Sequence, residues 1–287
     1  MGVPLPGDFG RRAREILAGR LAPVPARDAA TVVLLRDDPA GLEVYLLKRK
    51  PTMAFAAGAH VFPGGSVDPR DTDHAVAWAG PSPAEWGEVL HADEGTARGL
   101  VCAAVRETFE ESGVLLAGRD DDTVVDDTTG DDWEADRLAL IARTLSFAEF
   151  LDRRGLVLRS DLLKAWAHWI TPVVETRRFD TRFFVAALPP GQRTRDVGGE
   201  ADRVAWLRPA DAITRARARE VVLMPPTFHT LTEMATFETI GDVFASDREI
   251  TAVLPAPVEV DGQIVLMVPG LDYRRTLGGL ATREATP

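Results

Sequence analysis

The sequence predicts an α/β (α+β) protein: a mixed β-sheet with helices packed against it. Three stretches carry that prediction. Ala29–Leu35 is dense in Val and Leu, and Leu42–Lys48 follows it after a turn at Asp37–Gly41, the pattern of a hairpin. The end of the segment Glu175–Leu188 is apolar on both faces, which suits a strand in the middle of a sheet. Residues 96–112 have helical spacing, with Val101, Cys102, Val105 and Phe109 forming a stripe fit for burial.

The remaining elements follow in order. Residues 8–20 read as a short amphipathic helix, followed by a proline-rich link through Pro25, so residues 1–27 form a lead-in and 28–287 a single domain. Within 72–98, Ser82-Pro-Ala-Glu85 is a helix start of the capping-box kind and predicts a helix over 84–91. The aspartate-rich stretch 120–132 is hydrophilic and turn-prone and reads as a surface loop. Residues 134–154 look helical, and 161–169 could be helix or strand. Val204–Leu207 reads as a strand, and Pro209 opens a helix of about ten residues. Another helix follows the two prolines at 225 and 226, and Pro257–Met267 reads as a hairpin turned by Asp261–Gly262.

Composition narrows the function. A net charge of −11 argues against nucleic acid or an anionic membrane as the main partner. One cysteine rules out an internal disulfide and agrees with a reducing compartment. No apolar run approaches the roughly 20 residues that span a bilayer, no signal-peptide pattern stands at Met1, and the last residues are not a peroxisomal Ser-Lys-Leu address. The cytoplasm is the expected location.

The chemistry is concentrated in Arg106-Glu107-Thr108-Phe109-Glu110-Glu111-Ser112-Gly113-Val114. Glu107, Glu110 and Glu111 stand at i, i+3 and i+4, so on a helix they share one face. Like charges this close repel and call for a counterion, and hard divalent cations prefer such oxygen ligands. A solvated acidic face is the plainer alternative. Leu100, Ala103 and Ala104 flank the glutamates, and the small alanines would leave room for a ligand.

This segment resembles the second half of the Nudix box, G-x5-E-x7-R-E-U-x-E-E-x-G-U, with Thr108 at one aliphatic position. The first half matches Phe62-Pro63-Gly64-Gly65, followed by Asp71 where the family carries Glu. Thirty-four residues separate Asp71 from Arg106 instead of seven, so the box carries a 27-residue insertion, 72–98. A split box of this kind resembles the long-insert branch that includes the peroxisomal coenzyme A diphosphatases. The resemblance implies a Nudix α/β/α sandwich and hydrolysis of a nucleoside diphosphate linked to another moiety. It implies a site in which Glu107, Glu110, Glu111 and the Gly65 carbonyl hold Mg²⁺ or Mn²⁺. Arg106 would brace a glutamate, and either Glu111 or Glu200 would be the general base. The insertion is expected beside the active site.

For the substrate, the branch associates a motif L-L-T-x-R-S-x3-R-x3-G-x3-F-P-G-G with coenzyme A. Arg49, Gly58 and Phe62–Gly65 keep its spacing, while Lys50 and Ala54 replace a serine and an arginine. Lys48, Arg49 and Lys50 form one basic group, and Arg177, Arg178 and Arg182 a second, suited to bidentate contacts with phosphate. The expected reaction cuts coenzyme A or acyl-coenzyme A into 3′,5′-ADP and a 4′-phosphopantetheine product. The alternatives are a diphosphatase for ADP-ribose, NADH or another nucleotide sugar, and a Nudix-like module that senses a nucleotide without cutting it. The resemblance also raises a homodimer as a partner state.

Overall fold

The computed structural model describes residues 3–49, 58–195 and 201–268. The central sheet follows the path Val222–Leu223, Ala59–Val61, Gly41–Arg49, Arg27–Asp38, Phe179–Ala187, Leu163–Ile170 and Ala252–Val253, with Ala201–Leu207 paired to Gly41–Arg49 and Gly64–Ser66 to Arg27–Asp38 off that path. It is mixed: Phe179–Ala187 runs parallel to Arg27–Leu35 and antiparallel to Leu163–Ile170. The segment that could have been helix or strand is therefore a strand. A backbone between two paired neighbours buries both faces, which is why Phe184, Val185 and Ala186 are all 0% exposed.

Helices cover the sheet on both sides. On one face the helix Glu94–Ser112 packs through Leu100, Val101, Val105 and Phe109 against Ala30, Val32 and Leu34. On the other, Val33, Leu35 and Leu46 meet the helices Pro209–Arg217 and Pro225–Met234 through Ala212, Ile213, Phe228 and Leu231. This is the α/β/α sandwich that the sequence predicted. Among the described residues no helix is long and apolar enough to cross a membrane.

One departure from regular pairing makes the functional groove. Strand Arg27–Asp38 pairs with Gly41–Arg49 only from Leu35↔Val44 to Asp38↔Gly41. Beyond that point the two strands diverge. The edge left behind at Ala29–Thr31 is taken up by Gly64–Ser66, while Leu47 and Lys48 pair with Val61 and His60. The chain from Ala59 to Ser66 thus crosses between the two diverging strands.

The insertion lies elsewhere than expected. Its helix, Pro83–Leu90, starts with the predicted capping box between Ser82 and Glu85. Trp86 and Leu90 are buried in the same core as the Glu94–Ser112 helix, and Trp86 meets Phe184 edge-on, ring centres 5.6 Å apart. The short strand Trp78–Ala79 joins Val157–Arg159 and Ala117–Gly118 in a small second sheet. Residues 72–98 are absent from the groove wall because their apolar side chains are spent on the core beneath the sheet.

Two local expectations change, and the amino-terminal helix is found where it was expected. The helical region 134–154 divides into Asp131–Ile141 and Phe147–Arg154, because Arg143 takes a left-handed φ of 57° and Ser146 begins a new capping box with Glu149. Ala103 and Ala104 do not make room for a ligand: both are 0% exposed, and their small side chains let the helix approach its neighbours. The amino-terminal helix Gly7–Leu17 docks through Ala13 on Val174 and Ile264 of the carboxyl-terminal hairpin, and Val3–Pro4 pairs with the strand Gln263–Met267 of that hairpin.

Candidate active site

The helix Glu94–Ser112 begins at Asp93, whose carboxylate accepts the Thr96 N–H at 2.9 Å, and stops at Gly113, φ +76°. Its last turns deliver the glutamates to the end of the groove. Thr108, standing where an aliphatic residue was expected, is fully buried; its hydroxyl donates to the Ala104 carbonyl at 2.7 Å, so no polar atom is stranded.

Gly64 and Gly65 bring main chain against this helix end. A Cβ on Gly64 would lie 2.5 Å from the Ala30 carbonyl oxygen, and one on Gly65 would lie 2.4 Å from a Glu107 carboxylate oxygen. Only glycine lets the backbone come so close. The Gly64 N–H donates to Glu111 Oε2 at 2.8 Å, fixing that carboxylate.

Arg106 is the hub of the acidic cluster. Its Nη1 donates to Glu107 Oε1 at 2.7 Å and to Glu110 Oε1 at 3.1 Å. Its Nε and Nη2 reach Asp71 at 3.0 and 2.8 Å, and Nη2 also meets the Ser66 carbonyl at 3.0 Å. Asp71, shorter than the Glu of the box pattern, still fills the supporting place. The 3₁₀ turn Pro69–Thr72 carries it inward to 2% exposure, and it accepts the Asp68 N–H at 2.8 Å in a capping box. Arg106 therefore braces glutamates, as the sequence suggested, from a seat prepared by Asp71.

Burial dominates the electrostatics of the cluster. Burial pushes the Glu107 carboxyl up to about 7; Arg106 opposes this shift, and the neighbouring Glu110 adds to it. Glu110 is also raised, again by burial against the pull of Arg106. Burial alone would weaken the Arg106 guanidinium, but its bonds to Asp71 and the charges of Glu107, Asp71 and Glu110 hold it above its ordinary value. One arginine does not neutralise this many carboxylates. An all-oxygen set beside the main chain of Gly64–Ser66 fits a hard divalent cation. Among the described residues no three His, Cys, Asp or Glu side chains are arranged to hold a cation; the glutamates are turned toward Arg106 and Gly64 instead.

The cluster opens into a groove of about 640 Å³. A short Gly-Gly strand faces three helical glutamates and a bracing arginine, and residues 86–234, just over half the chain, match the model of the NUDT19 Nudix domain. The chain belongs to the Nudix hydrolases of this family. It is 26% identical over 272 residues to "Acyl-coenzyme A diphosphatase NUDT19" of Xenopus laevis, covering 80% of this chain and 70% of that protein. The protein of the same name from Gallus gallus is 28% identical over 300 residues, 85% of this chain and 78% of the other. Among solved structures, a NUDIX hydrolase from Alicyclobacillus acidocaldarius superposes with a TM-score of 0.68 at 28% identity, covering 79% of this chain and 98% of its own.

The other residues singled out in the sequence of this Nudix hydrolase divide by position. Arg49 and Arg177 line the groove, and Arg177 lies over the Phe179 ring at 5.3 Å. Arg178 and Arg182 do not line it. Arg178 is buried and donates to the Thr171 carbonyl at 3.0 Å and the Val24 carbonyl at 2.7 Å. Arg182 alternates to the opposite sheet face, where it pairs with Asp180 and approaches the Leu90 carbonyl. Both arginines are used up by the fold, which corrects the expectation that they meet substrate phosphate. Gly58 has φ +70° and stands apart from the groove wall. Lys50 and Glu200 lie outside the described residues.

Several groove residues escaped the sequence reading. Arg70 and Arg143 bring positive charge to the glutamate end, and Trp169, Phe179 and Phe183 supply aromatic walls on the side of Arg177. Arg70 had a faint signal, since it sits next to Asp71 between the two halves of the box. Arg143 had none, because its position depends on a helix break that periodicity did not reveal.

Proposed function

We propose that this Nudix hydrolase is a divalent-metal-dependent diphosphatase of coenzyme A and its acyl derivatives, releasing 3′,5′-ADP and a 4′-phosphopantetheine product. The observation that carries the reading is one groove lined by Glu107, Glu110 and Glu111 together with the arginines Arg49, Arg70, Arg143 and Arg177. A diphosphate held at the glutamates would have cationic side chains in the same groove. The vertebrate relatives named as acyl-coenzyme A diphosphatases, and the coenzyme A motif kept at Arg49, Gly58 and Phe62–Gly65, point to the same substrate class.

Glu107, Glu110, Glu111 and the Gly65 carbonyl would hold the cation, Mg²⁺ or Mn²⁺. A cation held there would supply charge to offset the phosphates and would lower the pKa of a water near it. Arg106 keeps two of the glutamates pointing into the site. Water adds across the anhydride: its oxygen ends on one phosphorus, the bridging oxygen leaves with the other phosphate, and a proton passes to a carboxylate. Glu111, oriented by the Gly64 N–H, and Glu200 are the candidates for that base. The reading keeps the protein in the cytoplasm, acting on an anionic small molecule without nucleic acid or membrane.

The test is mass-spectrometric product analysis after incubation with Mg²⁺ or Mn²⁺ and coenzyme A, acetyl-coenzyme A, ADP-ribose, NADH or diadenosine polyphosphates. Metal-dependent release of 3′,5′-ADP, lost in Glu110→Gln and Glu111→Gln, is expected. Preferred cleavage of ADP-ribose or NADH would replace the substrate assignment, and tight binding without turnover would point to a sensing module.

A further inference from the structure

The glutamates ride on the last turns of the helix Glu94–Ser112, where a helix is least well held. Its final carbonyls have no N–H partner further along the helix, and Glu107, Glu110 and Glu111 repel one another. Thr108 and Ser112 also turn their hydroxyls back onto the carbonyls of Ala104 and Thr108, a contact that loosens and bends helices. The Gly113 N–H closes off the Phe109 carbonyl at 2.9 Å. Groups from outside the Nudix box hold the carbonyls of Glu110 and Ser112.

Arg137, on the helix Asp131–Ile141, is 1% exposed and donates Nη1 to the Glu110 carbonyl at 2.6 Å. Glu134, one turn earlier, accepts the same guanidinium in a fork, from Nε at 2.9 Å and from Nη2 at 2.6 Å. The Glu134 carboxylate also pairs with Arg195 at 3.3 Å, and the Arg195 main-chain N–H donates to the Ser112 carbonyl at 3.0 Å. One carboxylate thus joins two groups that grip the helix end. Glu110 is held at both its ends, since Arg106 takes its carboxylate at 3.1 Å and Arg137 its carbonyl. A side chain swings with the backbone that bears it, so a shift of this carbonyl moves the carboxylate as well.

We propose that Arg137, seated by Glu134, is a positioning residue for the cation site: it fixes the last turn of the helix so that Glu110 and Glu111 can meet one divalent cation together. The proposal rests on the diphosphatase reading above and adds a clamp that stands outside both halves of the box. A guanidinium at this place serves twice, as donor to a carbonyl and as positive charge at the negative end of the helix dipole. Outer partners of metal-binding residues typically carry about 10- to 100-fold in metal affinity or activity. Arg137 also borders the groove, so direct contact with substrate is the competing role. The two roles move different constants.

The test compares wild type with Arg137→Met, Arg137→Lys, Glu134→Gln and Arg154→Ala. Arg154 is the control: it lies over the Trp133 ring at 3.6 Å and pairs with Asp132 and Asp136, so its loss loosens the same helix while the Glu110 carbonyl keeps Arg137. The readouts are kcat and KM for coenzyme A with Mg²⁺, thermal unfolding, and the Mn²⁺ dissociation constant without substrate, followed by electron paramagnetic resonance of the free ion. Arg137→Met should lower kcat about 30-fold and weaken Mn²⁺ binding about tenfold, with KM within about threefold of wild type. Arg137→Lys, which keeps a charged donor for the carbonyl, should regain about tenfold of the lost kcat. Glu134→Gln should fall between Arg137→Met and wild type. Arg154→Ala should unfold at a lower temperature with wild-type kcat and Mn²⁺ affinity. If Arg137→Met does not fold, Arg137→Lys and Glu134→Gln carry the same comparison with wild type. Unchanged kcat and Mn²⁺ affinity in the folded variants, a raised KM in place of a lowered kcat, no recovery with lysine, or an equal loss in Arg154→Ala would overturn the proposal. If wild type cleaves no nucleotide substrate, the diphosphatase reading fails, and the Mn²⁺ affinities still decide whether the clamp positions the cation site.

Discussion

Removing Asp71 tests how the acidic cluster is held together. Asp71 is 2% exposed and receives Arg106 through Nε at 3.0 Å and Nη2 at 2.8 Å, besides the Asp68 N–H at 2.8 Å. Asp71→Ala leaves a largely buried guanidinium short of its main partner, a change that typically costs about 3–5 kcal/mol. At roughly 2 °C per kcal/mol for a chain of this size, unfolding in EDTA should move down by about 6–10 °C. Asp71→Asn, which keeps acceptor oxygen but not charge, should fall between. The released Arg106 would then bind Glu107 and Glu110 more tightly and compete with the cation, so the Mg²⁺ concentration for half-maximal activity should rise. Urea titration followed by tryptophan fluorescence, with the Asp71→Ala/Arg106→Ala double mutant closing a cycle, measures the coupling. A loss below about 1 kcal/mol, the value of an exposed pair, would refute the argument that this contact is buried and structural.

Other outcomes follow from the same geometry. Because Glu107 is raised from 4.5 to about 7, the folded protein without metal holds a proton that the unfolded chain has released, so stability should fall as pH rises through that window. At about 1.4 kcal/mol per pKa unit the upper bound is roughly 3 kcal/mol; chemical denaturation in EDTA at pH 5 and 8 should show the slope in wild type and its loss in Glu107→Gln. Gly65→Ala would force a methyl to within 2.4 Å of the Glu107 carboxylate, and a displacement on the order of 1 Å in a catalytic group costs about 100-fold in rate. Steady-state kinetics should show that loss, with thermal unfolding little changed. Arg177→Ala should raise KM about tenfold with kcat nearly kept, the signature of a lost binding contact worth about 1.4 kcal/mol. Arg182→Ala should instead lower the melting temperature and leave KM alone, since its guanidinium is committed to Asp180.

The sequence was most informative where local rules act alone. The helix Glu94–Ser112, its glutamate face and the capping box at Ser82 each depend on short-range geometry and could be read from spacing, whereas Gly64 and Gly65, which read as a tight turn, lie in a short strand paired with Ala29–Thr31. The arginines show where such reading stops. Arg177, Arg178 and Arg182 are chemically alike along the chain; strand alternation turns Arg182 away from the groove, while Arg177 and Arg178 precede the strand and only the tertiary structure separates the one that lines the groove from the one bound to main-chain carbonyls. Arg143 was silent because its place depends on a break between two helices, and the apolar residues of 72–98 look the same whether they line a pocket or fill a core. Asp71 could be found by counting but not weighed. Only the 3₁₀ turn that carries it inward shows how a shorter acid meets Arg106.

The buried helix of the insertion also bears on how the protein folds. Asp71 and Arg106 must meet across 35 positions, where an uninterrupted box would close over eight. Chain-closure entropy grows only as the logarithm of that span, so the longer loop costs about 1.3 kcal/mol more. Burying Leu90 alone offsets this, at about 1.5–3 kcal/mol for a side chain of that size, and Trp86 adds to it. The helix that carries the glutamates is thereby packed in one core with the Trp86–Phe184 contact and the central strand. Sequence drift on the exposed side of 72–98 would leave the chemistry untouched, whereas a cut or deletion there would separate the two halves of the box before any catalytic residue was changed.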